Sequence, residues 1–199
     1  MSNPSLIAAG SLGGVVVCWL IFFAVFIFRR KPPQAETAEA RRDRSASVGI
    51  FLQMCGYALV WFQPPHQPFL PPVFSAGGQI AFSVVTIALA VASVWLVAAA
   101  VRTLGKQWAV AARLVEGHKL ITTGPYAYVR NPIYTGMLGM LIATGLATEH
   151  WIGLGVGVVL FMIGLIIRVR TEEKLLRSAF GAEFEEYARR VSAVIPGIY

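Results

Sequence analysis

The feature that most constrains this chain is the stretch from Leu6 to Phe28, which contains no charged side chain. About 20 consecutive apolar residues are what a helix needs to cross the roughly 30 Å hydrocarbon layer of a bilayer. Inside lipid every backbone N–H and C=O has to be bonded within the protein, so such a run spans as a helix or not at all. Four more apolar runs follow, at Val48 to Phe62, Gln79 to Val101, Pro132 to Thr148 and Trp151 to Ile167. With 56% hydrophobic and 14% charged residues, the chain reads as a membrane protein in which lipid is the solvent for most of the surface. The expected fold class is all-α integral membrane: five transmembrane helices, a cytosolic connector and a C-terminal amphipathic helix.

The charges give the orientation. All 17 Lys and Arg residues fall in residues 29–47, 102–131 and 168–199. None precedes the first run, and none lies in the Pro-rich loop Pro64-Pro65-His66-Gln67-Pro68 to Pro71-Pro72 or in the Glu149-His150 tip. That asymmetry is the positive-inside bias. It puts the N-terminus outside, the C-terminus in the cytosol, and the chain in a bacterial inner membrane or, in a eukaryote, the endoplasmic reticulum. The first run lacks basic residues before it and is followed by Arg29, Arg30 and Lys31, which suits a retained helix rather than a cleaved signal. A net charge of +7 would also suit nucleic acid, but the charges sit beside apolar runs, so no nucleic-acid partner is expected. Cys18 and Cys55 lie in apolar runs without Cys or His at ligand spacing, so no metal site is expected.

The organisation divides at residue 101. Residues 1–101 hold three helices and a polar linker at 29–47, and residues 102–199 hold the segments that could carry chemistry. Pro132 to Thr148 and Trp151 to Ile167 read as a tight hairpin of helices, each only about 25 Å long at 1.5 Å per residue. From Thr171 onward Leu176, Phe180, Phe184, Tyr187 and Val191 recur at helical spacing, so a surface helix is expected there, with a kink near Gly181. The glycines of Gly153-Leu154-Gly155-Val156-Gly157 lie in an apolar run, where small residues serve helix packing.

Two polar clusters stand at the two ends of the hairpin. One is the turn Gly124-Pro125-Tyr126-Ala127-Tyr128-Val129-Arg130-Asn131-Pro132-Ile133-Tyr134, where Arg130 and the first amides of a helix beginning at Pro132 could hold a carboxylate. It also reads as an aromatic belt with a snorkelling arginine. The other is Arg168, Arg170, Glu172, Glu173 and Lys174; Glu172 and Glu173, about 100° apart on a helix, must face different surroundings. It also reads as the start of a solvated helix. Both lie on one side of the membrane, so they can converge on a polar pocket.

The stretch Gly117 to Tyr126 followed by Arg130-Asn131-Pro132-Ile133-Tyr134-Thr135-Gly136, and then Glu172-Glu173-Lys174-Leu175-Leu176 with Phe180-Gly181-Ala182-Glu183-Phe184-Glu185-Glu186-Tyr187, resembles the isoprenylcysteine carboxyl methyltransferase family and its phospholipid methyltransferase relatives. The resemblance covers roughly residues 100–199. It implies a membrane-embedded methyltransferase that uses S-adenosyl-L-methionine and receives a lipophilic acceptor from the bilayer. By the same resemblance Arg130 and Glu173 are the candidate catalytic residues, and His118, Lys119, Leu120, Gly124, Tyr126, Arg130, Asn131, Pro132, Tyr134 and Glu172 contact the cofactor. Asn131 stands where the family carries histidine; asparagine hydrogen-bonds but does not titrate near neutral pH. Alanine at Arg130 or Glu173 is expected to abolish methylation and leave the fold intact. Two other readings stay open: an NADPH-dependent membrane reductase of the steroid-reductase type, and a non-catalytic membrane scaffold. The sequence carries no signal for the oligomeric state.

Overall fold

The computed structural model describes residues 4–28, 44–62, 76–105 and 120–197. Six α-helices follow one another: α1 (Pro4–Ile27), α2 (Arg44–Trp61), α3 (Ala76–Leu104), α4 (Pro132–Thr148), α5 (Trp151–Phe180) and α6 (Ala182–Arg190), with a 3₁₀ turn at Gly124–Ala127 before α4. Among the described residues there is no β-strand, only an isolated parallel bridge between Val129 and Ser192. Three helices, α1, α3 and α5, are long and apolar enough to cross a membrane; α2 and α4 are shorter apolar helices. The protein is an integral membrane helical bundle.

α4 occupies the middle of the bundle and packs against α1, α2, α3 and α5. Its neighbours shield nearly all its side chains from lipid, which is how a 17-residue helix is accommodated without having to match the bilayer thickness itself. One apolar cluster joins α1, α3 and α4 through Val15, Phe22, Val97 and Met140. A second joins α2, α4 and α5 through Val60, Leu141, Phe161 and Leu165 and reaches the C-terminal segment at Val194. Between them Trp19 donates its indole N–H to Thr144 Oγ1 at 3.0 Å and packs edge-on against Tyr57.

Helix association in lipid lacks the hydrophobic drive available in water, so close backbone approach matters more. α2 and α5 achieve it at two reciprocal glycine contacts. A Cβ on Gly56 would lie 2.7 Å from the Gly157 carbonyl oxygen, and one on Gly164 would lie 2.5 Å from that of Gly49. The packing role read for the Gly153–Gly157 stretch thus falls on Gly157, with partners on α2.

The amphipathic C-terminal stretch is organised differently from the expectation. Thr171 to Phe180 do not begin a surface helix; they continue α5, which has 30 residues and a length of about 45 Å at 1.5 Å per residue. Helical propensity does not stop at the lipid boundary, and nothing in the sequence breaks the helix before Gly181. There the backbone takes φ +50° and ψ −119°, a conformation open to glycine and closed to residues with a Cβ. α6 follows, burying Phe184 and Tyr187 and exposing Glu183, Glu185, Glu186, Arg189 and Arg190.

Candidate functional site

The C-terminal end of α5 and the N-terminal end of α4 come together, and the chain after α6 is laced along their junction. Arg130 N donates to Ser192 O and Asn131 N to Ala193 O, both at 2.9 Å. The Asn131 side-chain amide adds a second bond to Ala193 O at 3.0 Å, and Thr135 Oγ1 donates to Val194 O at 2.7 Å. Residues 191–195 therefore form a strap across the start of α4.

Arg130 lies at the centre. Its Nε and Nη2 donate to Glu173 Oε1 at 2.9 and 2.7 Å. Its Nη1 donates to the carbonyls of Ala188, at 2.9 Å, and Val191. Glu173 takes a further ion pair from Arg177 at 3.3 Å, and Arg177 also holds Glu185 of α6 at 2.7 Å. The Arg130 and Glu173 side chains are 12% and 9% exposed, so water screens their attraction little.

Beside this pair opens a small cavity of about 80 Å³, lined by Leu104, Leu120, Ile121, Tyr126, Arg130, Asn131, Glu173, Leu176, Phe184 and Tyr187. Its walls are mostly apolar and aromatic, and its polar groups converge on one side. Tyr187 donates its hydroxyl to the Tyr126 carbonyl at 2.6 Å, tying α6 to the 3₁₀ turn. Burial holds the Tyr126 phenol well above its usual range, with Tyr187 and Glu172 adding to the effect. Tyr187 is pushed up to about 12 by burial, with Arg130 opposing and Glu173 reinforcing the shift. Both are neutral donors at physiological pH.

Glu172 and Glu173 part company, as their angular separation requires. Glu173 lines the cavity, whereas Glu172 accepts from the Tyr134 hydroxyl and pairs with Arg168 at 3.4 Å. The Arg168 guanidinium lies 5.0 Å from the centre of the Tyr134 ring. Tyr134, Glu172 and Arg168 thus form a second cluster next to the cavity.

Of the residues singled out from sequence, Leu120, Tyr126, Arg130, Asn131 and Glu173 meet at the cavity. Tyr134 and Glu172 belong to the adjoining cluster. Gly124, at φ +61°, brings the 3₁₀ turn against Thr103 at the end of α3, and Pro132 is buried in the first turn of α4. His118 and Lys119 lie outside the described residues. Phe184, Tyr187 and Leu176, read as an apolar face and as part of the family resemblance but not as site residues, wall the cavity. Arg177 escaped the sequence reading altogether, although its position four residues after Glu173 is ion-pair spacing on a helix.

Comparison with known proteins fits this architecture. The phospholipid methyltransferase family profile matches residues 81–183. The cobalt-zinc-cadmium resistance protein CzcN of Cupriavidus metallidurans is 37% identical over 97 residues, 47% of this chain and 44% of that protein. The protein-S-isoprenylcysteine O-methyltransferase of Schizosaccharomyces pombe is 37% identical over 91 residues, 44% of this chain and 37% of the relative. The chain thus spans less than half the length of these two relatives. The solved structure of the eukaryotic intramembrane Ras methyltransferase, isoprenylcysteine carboxyl methyltransferase, superposes with a TM-score of 0.62 at 19% identity, over 100% of this chain and 69% of that one; it shares the fold. The chain belongs to the phospholipid methyltransferase family.

Proposed function

We propose that this protein is an S-adenosyl-L-methionine-dependent methyltransferase acting on a lipophilic acceptor at the cytosolic face of the membrane. The observation that carries the reading is the cavity itself, within and beside the family-matched segment, where one buried arginine–carboxylate pair adjoins aromatic and aliphatic walls. The donor set suits a nucleoside bearing a cation and an amino-acid group. Tyr126, Phe184 and Tyr187 offer faces for a purine and a positive centre, Leu104, Leu120, Ile121 and Leu176 offer apolar walls, and Glu173 offers a carboxylate for an ammonium.

When bound, the cofactor supplies an electrophilic methyl group on a sulfonium, and transfer is an in-line displacement. The residues need no acid or base of their own at the methyl carbon; they hold two partners in line, which can supply much of the rate through orientation. Glu173 draws positive charge to one side of the cavity. Arg130 and Asn131 fix the strap and α6, and so the distance between the aromatic walls. Asn131 spends its amide on Ala193 O, in keeping with a holding rather than a proton-transferring role. The apolar bundle suits an acceptor that arrives from the bilayer, and the charge asymmetry supports a site on the cytosolic side.

Isothermal titration of the purified protein with S-adenosylhomocysteine and with NADPH decides the reading. Binding of the first alone, together with transfer of labelled methyl groups to a panel of farnesylated and phospholipid acceptors, is the expected result. Binding of NADPH alone would replace the methyltransferase by a reductase, and binding of neither by a scaffold.

A further inference from the structure

We propose that Arg170 and Lys174, on the part of α5 that runs past its apolar stretch, form a binding site for the phosphate headgroup of an anionic phospholipid. The site is separate from the one described above, since neither residue lines the cavity. Both side chains are exposed, and among the described residues neither takes part in an ion pair. The arginines around them do: Arg130 with Glu173, Arg168 with Glu172, Arg177 with Glu173 and Glu185, and Arg190 with Glu186. The two carboxylates that precede Lys174 in the chain are thereby engaged elsewhere, Glu173 by two arginines and Glu172 by Arg168 and the Tyr134 hydroxyl.

The helix geometry says what lies in front of these two cations. With 3.6 residues per turn, Ile152, Val156, Val159, Ile163, Arg170 and Lys174 fall within about 40° of one line along α5. The first four are exposed hydrophobic side chains, so this face of α5 is bare of protein and, in an integral membrane bundle, covered by lipid tails. The same face then turns cationic. Ile152 to Arg170 spans about 27 Å at 1.5 Å per residue, close to the roughly 30 Å of a hydrocarbon layer. Trp151, next to Ile152, marks the opposite boundary, as tryptophan does at bilayer interfaces. Arg170 and Lys174 therefore emerge at headgroup level on a surface that already faces lipid. Like charges one turn apart on a helix repel, and an anion held between them removes the repulsion. A guanidinium fork beside an ammonium suits the oxygens of a phosphate. A headgroup without a cation of its own gains from both charges, which selects an anionic phospholipid over a zwitterionic one.

The test titrates the full chain, in an uncharged detergent, with phosphatidylglycerol, phosphatidylcholine and inorganic phosphate, and reads the rise in melting temperature. Phosphatidylglycerol should raise it with a saturating dose curve, and the other two should not. Arg170→Gln and Lys174→Gln should each weaken the apparent phosphatidylglycerol affinity about fivefold, and the double variant more, with the melting temperature in detergent alone unchanged because both side chains are exposed. Arg170→Lys should keep most of the affinity. Arg189→Gln combined with Arg190→Gln removes the same charge from α6, off this face, and should leave the dose curve in place. If the double variant at Arg170 and Lys174 responds like wild type, or if the α6 pair loses as much, the effect belongs to net charge and the site is overturned. An equal response to phosphatidylcholine would reduce it to lipid solvation, and an equal response to inorganic phosphate would replace the lipid by a free anion; either result overturns the assignment.

Discussion

Arg130 has five N–H donors in a rigid fork, and four of the bonds it makes go to three different places: twice to Glu173, once to Ala188 O and once to Val191 O. Lysine cannot reproduce that, since it presents a single compact ammonium. Arg130→Lys should keep the ion pair and lose the strap carbonyls, lowering S-adenosylhomocysteine affinity by about tenfold, or ~1.4 kcal/mol, in a calorimetric titration. The expectation that Arg130→Ala leaves the fold intact needs correcting on this geometry. Removing one partner of a buried pair typically costs about 3–5 kcal/mol, so the alanine variant should show a clearly lowered melting temperature. Tyr187 is the neighbouring case. Its hydrogen bond to Tyr126 O needs the neutral phenol, and burial raises its pKa to about 12 from the ordinary value of 10.0. The stabilisation is complete below pH 10 and disappears as the pH rises towards 12. Tyr187→Phe should cost about 1 kcal/mol at neutral pH, and the gap in melting temperature from wild type should close on that alkaline limb.

At the scale of elements, the contact that sets the bundle is the α2–α5 seam. Gly164→Val would drive a side chain into the Gly49 carbonyl, with no flexible neighbour able to move aside. Overpacking of this kind costs about 1–3 kcal/mol, and here it also shifts α2 relative to α5. The variant should melt earlier in detergent and keep near wild-type affinity for S-adenosylhomocysteine, since no residue of α2 lines the cavity proposed to hold it. A parallel loss of that affinity would mean that the seam supports the whole bundle, the cavity included. The α5–α6 junction works differently. Gly181 lets the chain turn sharply, and Arg177 spans the turn by holding Glu173 on one side and Glu185 on the other.

For the whole molecule, the cavity, the strap and the Arg168 cluster all lie at one end of the bundle, the end that carries the basic segments. The Glu149–His150 tip lies at the other. Single cysteines placed in a background lacking Cys18 and Cys55 test this directly with a membrane-impermeant maleimide. A cysteine at Glu149 should label in intact cells, and one at Arg190 only after permeabilisation. The reverse pattern would put the cavity outside the cell, away from the cytosolic cofactor pool.

The sequence alone was enough for the membrane class and the apolar helices, because these depend on a quantity that adds along the chain: hydropathy over a window. It also marked Arg130 and the adjacent Glu172 and Glu173 by their types and neighbourhood, and the family resemblance chose Arg130 and Glu173 among them. It could not divide Glu172 from Glu173, since adjacent residues on a helix differ only in which neighbour each faces. Nor could it show that Arg130 holds the strap or that Phe184 and Tyr187 wall the cavity. Those features arise where α4, α5 and the C-terminal segment meet, through contacts between residues some 40 to 60 positions apart. Only the packed bundle decides which of the polar groups near the boundary share one space.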